Sequence, residues 1–328
     1  MILMRYYLTI FLFIFWSTSF AATYEDGVFA ANNGEYSKAY LIWLPLAEQG
    51  NTDAQIGIGQ LYSNGDGVNQ NYNETVKWFR LAAEQGDASG QASLALMYFK
   101  GNGVKKSDEE GIKWLKLAAE QGLSIAQNLL GDMYINGVGV NKNYLEAVRL
   151  WNLAAAQNLN LAQYSLGVAY QNGNGVEQNY NEAIKWYKLA ARHGHVNAQY
   201  NLGLMYKNGI GVLANYEEAA EWYKLAAEQG HVTRQLELGN IYFNGKGVTK
   251  NEMVAFNWYL MAAEQSNIDA QYYVGQMYMG GNSVTQDYKK AFNWFKLCAE
   301  QDYYEAQMVL GMLYEKGLGT SKNYKNSA

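Results

Sequence analysis

Three histidines, His193, His195 and His231, are the side chains of this chain best suited to proton transfer or metal binding near neutral pH. His195 and His231 lie 36 residues apart, so a periodic fold would set them side by side, with His193 close to the first. Imidazoles grouped in this way suit zinc or copper. The position they share otherwise holds Asp87, Leu123, Leu159, Asn267 and Tyr303, a mixture expected of an exposed loop, and no metal site is assigned. Glutamates recur at Glu48, Glu84, Glu120, Glu228, Glu264 and Glu300. Glycoside cleavage needs two carboxylates facing each other across one bond, whereas these fall singly in successive copies of a pattern. No Ser, Cys or Asp stands in a recognisable relation to a histidine for nucleophilic attack. Cys298 is the only cysteine and replaces an Ala of the other copies, which points to a small buried side chain. No enzyme constellation and no cofactor site emerge.

The glycines test a second kind of chemistry. Gly-x-Gly recurs along the chain, but a phosphate loop also requires a preceding strand and a Lys-Ser/Thr after its last glycine. Asn64-Gly65-Asp66-Gly67 lacks the alternating acids and terminal Glu of a calcium loop. Both read as turns. The net charge of −5, with no basic cluster, argues against a nucleic-acid partner.

The elements behind these motifs follow from counting. Gln55, Gln91, Gln127, Gln163, Gln199, Gln235, Gln271 and Gln307 are spaced by 36 residues, and Tyr62 through Tyr314 and Gly65 through Gly317 repeat in the same register. A fixed period of this size marks a solenoid. The expected organisation is a signal peptide over 1–21, a partial repeat over 22–52, seven tandem repeats over 53–304 and a truncated repeat over 305–328. In one unit, Ala198, Leu202, Met205 and Tyr206 make a single helical stripe, and Gly209 closes that helix. Asn215-Tyr216 begins a second helix whose buried face is Ala219, Trp222, Tyr223, Ala226 and Ala227, with Gly230 ending it. Its ending is matched by Asn158, Ser266 and Asp302 elsewhere, residues that tolerate left-handed backbone. Gly203 lets the first helix approach a neighbour closely. A single proline, Pro45, suits an all-α chain.

Ala198-Gln199-Tyr200-Asn201-Leu202-Gly203, Gly209-Ile210-Gly211-Val212, Asn215-Tyr216, Trp222-Tyr223 and Leu225-Ala226-Ala227-Glu228-Gln229-Gly230 together resemble the Sel-one-like repeat family, a relative of the tetratricopeptide repeats. The resemblance covers essentially everything after residue 21. It implies a right-handed superhelical solenoid of antiparallel helix pairs, and a role as an adaptor holding proteins together in envelope processes or at a host. A cysteine-rich branch of the family is associated with penicillin binding and hydrolysis, but this chain lacks its two cysteines per repeat. Departures fall at Ile42-Trp43 and Leu150-Trp151, where Trp is shifted by one, at Ser107-Asp108, and at Asn282-Ser283, which replaces a loop glycine.

At the amino end, Arg5, the apolar run Leu8–Trp16 and the small residues Ser19 and Ala21 fit a signal cleaved after Ala21, with delivery to the periplasm or outside the cell and no membrane span in the mature chain. Function is then sought where repeats differ. On the first helix, positions one, two, five and eight after the invariant Gln fall on one arc. The candidate partner-binding residues there are Tyr164 and Gln171; Tyr200, Asn201 and Lys207; Glu237, Asn240 and Phe243; and Tyr272, Tyr273, Gln276 and Met279. A concave groove of this composition suits a peptide or protein partner. Two competing functions are a cell-wall or β-lactam hydrolase and a glycan- or peptidoglycan-binding module. The last repeat stops before its second aromatic pair, leaving Leu310, Leu313 and Tyr314 without the helix that covers their counterparts. The expected consequence is end-to-end self-association or fraying.

Overall fold

A computed structural model describes residues 22–281 and 283–323, and every regular element among them is an α-helix. The predicted signal segment, Asn282 and Tyr324–Ala328 lie outside the described residues. The helices divide into two compact units, the first ending at Gln121 and the second beginning at Gly122. The first contains α1 (Tyr24–Asn32), α2 (Tyr36–Glu48), α3 (Thr52–Asn64), α4 (Tyr72–Glu84), α5 (Ala88–Lys100) and α6 (Asp108–Glu120). The second contains α7 (Ser124–Asn136), α8 (Tyr144–Ala156), α9 (Asn160–Asn172), α10 (Tyr180–Arg192), α11 (Val196–Asn208) and α12 (Tyr216–Glu228). It continues with α13 (Val232–Asn244), α14 (Glu252–Glu264), α15 (Ile268–Gly280), α16 (Tyr288–Ala299) and α17 (Tyr304–Lys316). Within each unit every helix packs on its neighbours in sequence, the all-α repeat solenoid that the period predicts.

Local chemistry sets the ends. Asn215 lies in extended backbone before α12, and its side chain accepts hydrogen bonds from the amides of Glu217 and Glu218. Gly209 closes α11 in the left-handed region, and its amide donates to the Met205 carbonyl. Asn158, Ser266 and Asp302 adopt the positive φ expected of them. The two signals act within each hairpin, so helix and turn lengths repeat without tertiary help.

Packing refines the expected buried face. Tyr223 is fully buried, and its ring lies against Gly203, where a Cβ would collide with it. The glycine therefore seats an aromatic ring and does not bring two backbones together. Trp222, expected on the same buried face, is only partly buried and joins the core between the preceding second helix and its own first helix, with Tyr187 and Met205. Adjacent on the helix, the two rings enter different cores, Tyr223 that shared with Leu238 and Ile241 of the following helix and Trp222 that shared with Tyr187 of the second helix before. The shifted tryptophans keep this logic. Trp151 takes the tyrosine position over Gly131 and donates from Nε1 to Asp132 Oδ1 at 3.0 Å, while Leu150 fills the tryptophan position. Trp43 sits over Gly27 in the same manner.

Of the invariant glutamines, Gln55, Gln91, Gln199, Gln235 and Gln271 are buried and bonded at both ends, whereas Gln307 in the last repeat is exposed. Gln235 Nε2 donates to the Ala227 carbonyl (3.2 Å), and its Oε1 accepts from Gln265 Nε2 (2.8 Å). Gln55 does the same with Ala47 and Gln85. A buried amide has no cheap alternative to such partners, which accounts for the regularity of this residue. Leu313, expected to lose its cover, is fully buried against Phe295 and Ala291 of the helix before.

Candidate functional site

The repeated glycine loop shapes the first-helix face. In six repeats a loop glycine touches the first turn of the preceding second helix, pairing Gly67 with Tyr36, Gly103 with Tyr72, Gly175 with Tyr144, Gly211 with Tyr180, Gly247 with Tyr216 and Gly319 with Tyr288. A Cβ at Gly247 would run into the Tyr216 backbone. One repeat of the second unit departs at both positions, with Glu252 for the tyrosine and Ser283 for the glycine. The two departures meet in space: Ser283 Oγ donates to Glu252 Oε2 at 2.7 Å.

A pocket of about 160 Å³ opens at this place. Phe243 from the end of α13, Tyr259 from α14 and Tyr273 from α15 supply aromatic walls, with Met277, Gln276 and the Glu252–Ser283 pair completing the lining. Tyr259 is buried and stacks on Tyr273, ring centres 4.9 Å apart. Its hydroxyl donates to Asn240 Oδ1 at 2.8 Å, and burial holds the phenol well above its ordinary pKa. Glu252 Oε1 lies 2.7 Å from Lys250 Nζ, whose charge lies 5.7 Å from the centre of the Phe243 ring. The bond to Lys250, with the Ser283 hydroxyl behind it, holds the Glu252 carboxyl below the usual carboxylate range.

The same backbone place in the first unit is also a pocket, of about 570 Å³. There Ser63, Tyr72, Phe79, Ser93, Leu96 and Lys100 stand where Phe243, Glu252, Tyr259, Tyr273, Gln276 and Gly280 stand in the second. Its lining carries Lys100 and no carboxylate.

The candidate residues fall into several groups. Phe243, Tyr273 and Gln276 share the second-unit pocket, while Asn240 supports it from behind through Tyr259. Lys207 and Glu237 form a partly buried ion pair at 2.9 Å across two repeats. Gln171 accepts from the Tyr187 hydroxyl at 2.7 Å, and Asn201 bonds the same hydroxyl. Tyr164 stacks on His195 (4.3 Å) and tilts against Tyr187, and Tyr200 tilts against Tyr223. Tyr272 turns toward Phe295 and Tyr303, and Met279 packs on the same cluster. The arc is thus partly built into the stack. Glu252, Ser283 and Arg234 were not selected from the sequence. Arg234 lies over the Tyr200 ring where other repeats hold a small buried residue, and each of the three is a departure from the repeat pattern.

The tempting residues have structural duties. His193 Nδ1 lies 3.1 Å from Gln163 Oε1, an acceptor, so Nδ1 carries the proton and the ring takes the place of the usual glutamine. His195 caps α11 by accepting from the Ala198 amide, and burial lowers its pKa. Burial lowers His231 too, with the charge of Arg234 adding to it. Among the described residues no group of three or more His, Cys, Asp or Glu could hold a metal ion. Cys298 is buried, and that burial pushes its thiol up to about 11. Glu48, Glu84, Glu120, Glu228, Glu264 and Glu300 are all exposed at second-helix ends. No helix among the described residues is long and apolar enough to cross a membrane.

The Sel1 repeat model matches residues 52–87, 88–123, 124–159, 160–195, 196–231, 235–267, 268–303 and 305–328. Two solved structures are similar to this chain. One is a protective antigen present in uropathogenic Escherichia coli strains, displaying an SLR fold. It is 36% identical with a TM-score of 0.79 over 88% of this chain, and the chain spans 62% of that protein's length. The other, a Sel1 repeat protein from Oxalobacter formigenes, is 34% identical with a TM-score of 0.69, covering 88% of this chain and 85% of its own. No curated protein sequence matches the chain.

Proposed function

Since the chain belongs to the Sel1 repeat family, whose members commonly serve as protein-interaction scaffolds and are generally non-catalytic, we propose that it is an exported scaffold that grips a peptide or protein through the first-helix face of its repeats. One observation carries this reading. The buried glutamines, glycines and alanines are committed to the stack, whereas one backbone pocket recurs in both units with a largely different lining. A fold that keeps a socket and changes its chemistry is suited to recognition.

Export is supported by the pattern of residues 1–21 and by the likeness to an antigen of a pathogenic bacterium. Amino-terminal sequencing of the mature chain should begin at Ala22; a chain retaining Met1 removes the signal reading. For the binding face, a photo-cross-linking residue is placed at Phe243, Gln276 or Leu96, or at the second-helix ends Glu84 and Glu228, in the cells that make the protein. Partners should couple at the first three positions and not at the last two, and the reverse pattern would overturn the assignment. Self-association is a second reading, favoured by the exposed Tyr304 and Met308 on α17. It predicts a scattering mass that rises with protein concentration, and a constant monomer mass excludes it.

A further inference from the structure

We infer that the pocket between Phe243, Tyr273 and Glu252 receives one basic side chain, lysine or arginine, of the partner. This deepens the scaffold reading and rests on it.

Four observations converge. The pocket's volume, about 160 Å³, is that of a single long side chain. Its walls include the rings of Phe243 and Tyr273, and aromatic rings attract a cation through their quadrupoles. Its rim carries a carboxylate held in place by Ser283, in a repeat where both members of the usual tyrosine–glycine pair have been exchanged together. A serine hydroxyl donating to a carboxylate orients one oxygen and leaves the other to bind a cation.

The fourth observation is a cation of the chain itself already placed at the rim. Lys250 Nζ already bonds Glu252 Oε1 and lies toward Phe243, yet its side chain is 58% exposed. No other partner holds that ammonium among the described contacts. Lys250 thus acts as a placeholder at the rim, and an incoming ammonium or guanidinium would take over the same carboxylate and ring while passing its stem along Tyr273 and Met277. The equivalent pocket of the first unit, with Lys100 and no acid, offers such a group nothing. The chain's net charge of −5 favours a basic partner in the same sense.

The test uses the whole chain with methionine methyls isotopically labelled, because Met277 lines the pocket. The probes are acetyl-Gly-Ser-X-Ser-Gly amides in which X is arginine, lysine, norleucine or glutamate. The arginine and lysine peptides should shift the Met277 methyl, and the norleucine and glutamate peptides should not at equal concentration. Glu252→Gln should weaken the basic peptides roughly tenfold, the scale of one lost charge-assisted bond. Lys250→Ala should strengthen them by a few-fold, because it removes the competing cation. Glu252→Tyr with Ser283→Gly restores the pair that six other repeats fold with, and should abolish the response. Equal binding of the norleucine peptide, or indifference to Glu252→Gln, overturns the inference while leaving the groove reading intact. So does a silent Met277 with cross-linking at Phe243 retained. Loss of cross-linking at all first-helix positions would instead remove the scaffold reading.

Discussion

The pocket bounded by Phe243, Glu252 and Tyr273 and the pocket bounded by Ser63, Tyr72 and Ser93 occupy the same backbone place in two different units. Behind both lies an aromatic ring seated on a glycine, Tyr259 on Gly239 in one and Phe79 on Gly59 in the other. In front, almost every lining side chain differs. The first has a carboxylate, two further rings and a small volume, and the second has a lysine, two serines and more than three times the space. The contrast separates two duties of one fold. The ring and glycine behind the pocket, with the glutamine ladder beside them, hold the stack together, and the residues in front are free to change because the stack does not need them.

Breaking the shared base should cost most and should cost both units alike. Tyr259→Ala and Phe79→Ala each remove a nearly fully buried ring, and thermal or urea unfolding should register a loss of ~3–5 kcal/mol for each. A much smaller loss for one would show that the two bases are not equivalent.

The position held by Gln276 and Leu96 in the two pockets is taken by Asp132 in another repeat. Burial raises the Asp132 carboxyl to about 6, against the opposing bond from Trp151 Nε1. A folded-state pKa above the unfolded value means that the native state binds the proton more tightly. This contribution to stability is therefore complete below about pH 4 and is lost as the pH rises through about 6, by about 3 kcal/mol in total. Asp132→Asn should flatten that slope in unfolding measured across this range. An unchanged slope would place the titration elsewhere.

Gln235→Ala removes the side-chain bonds to the Ala227 carbonyl and from the Gln265 amide, and Gln55→Ala removes those at Ala47 and Gln85. Each should lower stability by ~1–3 kcal/mol in the same unfolding assay, again with little difference between units. Tyr259→Phe sharpens the comparison at the smallest scale, since it turns one base into the other. It removes only the bond to Asn240, and a loss of about 1 kcal/mol is expected, with no counterpart in the first unit.

Much of this was legible from spacing alone. The caps Asn215 and Gly209, the positive-φ positions Asn158, Ser266 and Asp302, and the small-residue role of Cys298 follow from interactions within one hairpin, which a single repeat reports. The division of labour between Trp222 and Tyr223 was not legible, because both are large and aromatic and only the neighbouring repeats decide which core each enters. The candidate arc was mixed for a similar reason. Helical angle places Gln171, Asn201 and Asn240 outward, but a buried tyrosine hydroxyl reaches each of them from the helix behind. Ser283 stood out only as a departure in a loop, and Glu252, 31 residues earlier, did not stand out at all.

What the sequence by itself determined is the all-α repeat architecture, since a 36-residue period with its own caps and stripes encodes one hairpin many times over. What only the tertiary structure decided is where two irregularities become one site. Stacking brings a helix start and a later loop into contact, and hydrogen bonding between them depends on distance in space, to which separation along the chain is no guide.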